Sequence, residues 1–183
     1  MATPDSGRAV LDAFIRTFRA QKHLADSAIT QVSDEHIRLP LDANTNSVCV
    51  IMKHVSGNLR SRFTEFLTSD GEKSWRDRDD EFIDTFASRE EMLATWEEGW
   101  QALFDSLNGL TPDDLTRAIT IRGESHTVIL SLTRALGHVS YHIGQIVQTS
   151  RYWAKDNWTT ITVAKGASRA HNLKLGFDPR RPA

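Results

Sequence analysis

The stretch Leu132–Trp153, LTRALGHVSYHIGQIVQTSRYW, decides how this chain is read. Leu132, Leu136, Val139, Ile143 and Ile146 recur at spacings of three and four, the pattern of a helix with one buried face. Residues four apart stand one above the other on a helix, so His138 and His142 share one flank of that stripe, with Tyr141 and Gln145 beside them. A flank borders the core, and imidazoles there are not simply solvated. The same period carries this helix from about Val128 to about Trp153.

Three further helices are expected upstream. Val10, Leu11, Phe14 and Phe18 mark the first, over about Ser6–Val32. After a loop at LPLDANTN (Leu39–Asn46), Val48, Met52, Val55, Leu59, Phe63 and Phe66 mark the second, over about Ser47–Leu67. The third starts at Ser88, because a serine with Glu91 three residues later is a capping box, and it stops at NGL (Asn108–Leu110). TPDDL from Thr111 is another local helix start. RAITIRGESHTV (Arg117–Val128) breaks the period and reads as a small hairpin or extended loop around Gly123-Glu124. The expected fold class is all-α, a four-helix bundle, as a single domain over 1–183 with 154–183 an extended C-terminal tail. The connection TSDGEKSWRDRDDEFIDTFA between helices two and three is long for a compact domain.

The totals narrow the function. With 183 residues, 39% hydrophobic and 25% charged, the chain can bury one core. A formal charge of −2 lacks the basic footprint of a nucleic-acid binder. The longest apolar run, Val48–Met52, is too short to span a membrane. The first residues do not read as a signal peptide, so a cytoplasmic location is the default expectation. Cys49 is the only cysteine and sits among Val48, Val50 and Ile51, a setting for a small buried thiol rather than a nucleophile.

Helix two repeats the arrangement of helix four: His54 lies on the flank of its stripe, with Asn58 one turn beyond. Two helices of this kind can turn their imidazoles toward one another. Imidazole nitrogen suits Zn, Ni, Fe or Cu, and three protein nitrogens leave a coordination position open. The residues alone leave two readings standing, metal ligands or hydrogen-bonded histidines at the core boundary. His23, His36, His126 and His171 have no partner at ligand spacing and are expected on the surface or in loops.

The stretch KHVSGNLRSRFTEFLTSDGEKSWRDRDDEF (Lys53–Phe82), followed by HVSYHIGQIV (His138–Val147), resembles the DinB-like superfamily, and within it a bacterial branch of unknown function. The resemblance runs from helix one to ITVAKGAS (Ile161–Ser168). It implies an up-down-down-up four-helix bundle, often dimeric, with the long connection as a crossover between helices two and three. It also implies a metal site made of one histidine from helix two and an H-x-x-x-H pair from helix four, here His54, His138 and His142. Zn or Ni is the favoured ion on this basis, with Fe or Mn as further candidates. Some relatives are thiol-dependent transferases or isomerases that use low-molecular-weight thiols.

The resulting expectation is a metal-dependent transferase or hydrolase acting on a small-molecule substrate, as a homodimer. The alternative is a non-catalytic, dimeric metal-binding bundle of structural or stress-related role. Tyr141 is the candidate general acid, against a boundary aromatic with a solvated hydroxyl. Asn58, Arg62 and Gln145 are candidates to orient ligands or substrate, against plain interhelical or solvated contacts. An acidic residue of WRDRDDEF can orient a ligand imidazole, but a salt-bridged surface loop is the simpler account of that segment.

Overall fold

The structure, a computed structural model, describes residues 6–178. It is mostly helical. The elements in chain order are α1 (Ser6–Ile29), α2 (Val48–Phe63), α3 (Arg89–Gly109), β1 (Ala118–Ile121), β2 (Glu124–Thr127), α4 (Val128–Ala154) and α5 (Ser168–Lys174). Each long helix after the first starts on a side-chain cap. Ser47 accepts from the Val50 amide, Ser88 from Glu91 and Thr127 from Leu130, and each satisfies an amide that has no partner inside its helix. At α3 the Glu91 carboxylate also accepts from the Ala87 amide at 2.7 Å.

Two helix ends differ from the sequence expectation. The apolar period of α2 continues through Phe66 and Leu67, yet the helix stops at Phe63, where Thr64 turns extended and Glu65 then takes a positive φ of 50°. Phe66 still reaches the core from the turn that follows. Helix α1 stops at Ile29, where Thr30 and Gln31 turn their side chains back onto the Ser27 carbonyl. The segment around Gly123 forms a two-stranded antiparallel hairpin, with Ala118 opposite Thr127 and Ile121 opposite Glu124. Arg122 and Gly123 both have positive φ, 56° and 75°, as a tight two-residue hairpin turn requires. Asp70 fixes that turn by accepting from both of their amides at 2.8 Å.

The apolar stripes pack α2 against α3 and α4, and α1 against α4. Trp96 and Trp100 of α3, Phe18 of α1, Phe63 of α2 and Leu132 of α4 are among the largest fully buried side chains. At Gly99 a Cβ would stand 2.6 Å from the Ser56 Cα, so this glycine lets α3 approach the backbone of α2. Cys49 is buried and its thiol is pushed up to about 12, first by burial and then by Asp84, which makes it an inert core residue. No helix among the described residues is long and apolar enough to cross a membrane.

The connection from α2 to α3 does more than span a gap. It carries a short 3-10 turn, Asp80–Phe82, that docks on α2. Lys53 of α2 latches it by donating to the Asp80 and Ile83 carbonyls, the Asp80 carboxylate and the Thr85 hydroxyl. Beyond α4, Thr159 is pinned to Gln31 at the end of α1 by a pair of hydrogen bonds, and the short α5 follows.

Candidate metal centre

The flank positions on α2 and α4 meet. One ring nitrogen from each of His54, His138 and His142 lies within 4.8 Å of the others. The ring centroids are 4.6 Å apart for His138–His142, 4.8 Å for His54–His142 and 5.2 Å for His54–His138. His54 is buried and the other two are half-buried. His142 Nδ1 donates to Gln145 Oε1 at 2.7 Å, so its Nε2 carries a bare lone pair.

His54 is held from behind. Its Nδ1 donates to Glu81 Oε2 at 2.9 Å, which turns Nε2 toward the other two rings. Glu81 is in turn clamped by Arg76, whose Nε reaches Oε1 at 2.7 Å and whose Nη2 reaches Oε2 at 2.8 Å. The Arg76 side chain is 1% exposed and that of Glu81 7%. Burial pushes the Glu81 carboxyl up, but hydrogen bonds from His54 and Arg76 and the charges behind them outweigh it and hold it below its usual value. Phe82 closes the open face of His54, with ring centroids 4.8 Å apart.

These nitrogens suit a divalent ion. His54 Nε2 and His138 Nε2 stand 3.2 Å apart, and two nitrogens bound to one tetrahedral zinc at about 2.0–2.1 Å stand roughly 3.3 Å from each other. A hydrogen bond between the two rings has a similar length. It would use the one proton available to that contact, but it would leave the inward lone pair of His142 unmatched. His138 and His142 both resist the extra proton that would fill the gap. Burial, followed by the neighbouring His142, His54 and two guanidiniums, pushes His138 down to about 3, and burial also lowers His142. Three imidazoles with converging ring nitrogens are the donor set of a Zn, Ni or Fe site. His138 Nδ1 is buried without a hydrogen-bond partner among the described residues.

The cluster opens into a cleft of about 330 Å³ that Asn58 and Arg62 of α2 also line. Tyr141 lies elsewhere. Its ring packs edge-on against His142 with centroids 5.0 Å apart, its hydroxyl accepts from Gln145 Nε2 at 3.2 Å, and it is 64% exposed in a neighbouring depression. Tyr141 and Gln145 thus stand behind His142, while Asn58 and Arg62 stand in front of the cluster.

The reading of WRDRDDEF as a surface loop needs correction: Arg76 and Glu81 are buried there as an ion pair behind His54. The missed signal is Gly57, a glycine inside a helix. A Cβ at that position would collide with Glu81 Oε1, so the glycine makes room for the carboxylate beside α2. Alanine in a helix interior ordinarily gains about 1 kcal/mol over glycine. Gly57→Ala is nevertheless expected to displace Glu81 and to weaken metal binding about 10–100-fold, the usual cost of losing the group that orients a ligand imidazole. Competition against a chromophoric chelator measures this, and wild-type affinity in the variant would remove Glu81 from the site.

Residues 5–167 match the family model described as "Protein of unknown function (DUF1572)". No curated protein and no solved structure matches the chain.

Proposed function

The chain belongs to the DUF1572 family, and from that premise we propose that it is a divalent-metal enzyme of the DinB-like superfamily, a transferase or hydrolase acting on a small molecule. The observation that carries this reading is the convergence of three imidazoles at the wall of a cleft. His54, His138 and His142 hold the ion in this reading, with Zn or Ni favoured. When bound, the ion supplies Lewis acidity toward a thiol, a water or a substrate oxygen. Among the described residues, only these three form a metal-holding group and no carboxylate joins them, which favours an open coordination position over a closed structural site.

The protein's own groups do the rest. Glu81 and Gln145 fix the tautomers of His54 and His142 so that lone pairs face inward. Phe82 shields His54 from water. Asn58 and Arg62 face the cleft, where a substrate would lie. Tyr141, behind His142, acts in this reading through Gln145 rather than as a proton donor to substrate. A low-molecular-weight thiol, which the superfamily resemblance brings in, is the co-substrate to screen first. Thiol-transfer and hydrolysis assays on zinc- and nickel-loaded protein test the activity. A loaded protein inactive in both leaves the non-catalytic reading.

The architecture proposed with this function is the up-down-down-up four-helix bundle, with residues 64–88 as its crossover, in a two-fold homodimer. Closed two-fold pairs are the commonest assembly of soluble chains. Multi-angle light scattering is expected to give twice the 20.6 kDa chain mass. A monomer at micromolar concentration contradicts the dimer.

A further inference from the structure

The wall of the histidine cleft is cationic. Four arginines line it, Arg62 from α2, Arg78 from the crossover, Arg122 from the hairpin turn and Arg134 from α4, and none of the described residues lining it is Asp or Glu. Two of the four are partly neutralised, since Glu72 accepts from Arg62 at 3.2 Å and from Arg122 at 2.9 Å. The other two have no carboxylate partner among the described residues. Among the described residues, the polar contacts of Arg134 are to the His126 ring, at 3.3 and 3.4 Å. Arg78 makes no hydrogen bond or ion pair with any described residue, although aspartates flank it in the chain. The Asp77 carboxylate is taken by the Asp79 and Asp80 amides instead.

An ordinary salt-bridged surface pairs its arginines with acids at the rim. Here two guanidiniums line a concavity with no acid among the described residues to match their charge. The cleft is also the right size: about 330 Å³ is at the low end for small-ligand sites, roughly 300–1,000 Å³.

The helix spacing adds a dimension. On α2 the ladder His54, Asn58, Arg62 steps by four, and on α4 so does Arg134, His138, His142. At 1.5 Å rise per residue, the arginines stand about 6 Å along α4 and about 12 Å along α2 from the nearest histidine of the same ladder.

We infer that the cleft over the histidine cluster binds a small molecule carrying a carboxylate or phosphate, which Arg134 and Arg78 hold while the reacting end lies at the imidazoles. The guanidinium fork matches either oxyanion with two parallel hydrogen bonds. Arg62 and Arg122, with Glu72 between them, shape the wall beside it. This inference deepens the function proposed above and rests on that reading only for what happens at the imidazole end; anion binding does not require the ion.

Titration calorimetry with inorganic phosphate and with succinate, on chelator-treated full-length protein, tests it. The expected result is saturable binding of one anion per chain at millimolar or lower concentration. Tighter phosphate binding assigns a phosphoryl group to the ligand, and tighter succinate binding assigns a carboxylate. The double variant Arg78→Gln/Arg134→Gln should weaken binding about tenfold or more, as loss of charged hydrogen bonds does. Both residues are exposed, so the fold should survive, and zinc stoichiometry should be unchanged. His142→Ala should lose zinc yet keep the anion, which separates a failure of the metal reading from a failure of this one. No saturable binding of either probe to wild type, or equal affinity in the double variant, overturns the inference.

Discussion

Arg76→Ala is expected to destabilise the protein by about 3–5 kcal/mol, the cost of stripping the partner from a buried charge. Among the described residues, the Glu81 carboxylate would keep only the His54 ring as a donor, in a pocket where its side chain is 7% exposed. At about 2–4 °C per kcal/mol for a chain of this size, the melting temperature should fall by roughly 6–20 °C. The loss should be strongly non-additive. Adding Glu81→Gln removes the stranded charge and should recover much of the stability, since directly bonded pairs couple by about 0.5–3 kcal/mol. It should not recover metal affinity, because a neutral amide supports the His54 imidazole less well than a carboxylate. A melting temperature within a degree or two of wild type for Arg76→Ala would mean that the pair is hydrated in solution.

His142→Ala is expected to abolish binding of the ion and still leave a folded, cooperative protein. The long helices bury Trp96, Trp100, Phe18, Leu132 and other large apolar side chains independently of the cluster, and apolar burial of that kind dominates folding free energy. The stability lost relative to loaded wild type should match the binding linkage, roughly 3–4 kcal/mol at metal a hundred to a thousand times above its dissociation constant. Chelated wild type should then melt close to the variant. Thermal denaturation with and without chelator checks both statements. If the variant is unfolded at room temperature, the ion is structural in the sense of small metal-dependent folds, and the enzyme reading loses its main support.

The features written in local periodicity were legible from the chain alone. Helix α4 follows from Leu132, Val139, Ile143 and Ile146, and the start of α3 from Ser88 with Glu91, because both depend on residues within two turns of each other. The meeting of His54 with His138 and His142 was legible as two flanks that can face one another. The end of α2 was not, since Phe66 and Leu67 continue the apolar period while the backbone reverses at Glu65. Nor was the support behind His54. Arg76 and Glu81 sit in a charge-rich loop, and such a segment reads as solvated unless one knows where it docks. That docking depends on the Lys53 latch and on the space left by Gly57, contacts distant in sequence that no period encodes. The cationic cleft was hidden for the same reason: Arg62, Arg78, Arg122 and Arg134 come from four separate elements, and the net charge of −2 gives no hint of them.

The most direct measurement of the central claim is a crystal structure of the zinc-loaded protein, with the ion located by its anomalous signal. The account predicts one ion per chain, with one nitrogen each of His54, His138 and His142 at about 2.0–2.1 Å and the remaining position facing the arginine-lined cleft. An ion held elsewhere on the chain, or three imidazoles left in direct contact with no ion between them at saturating zinc, would contradict it.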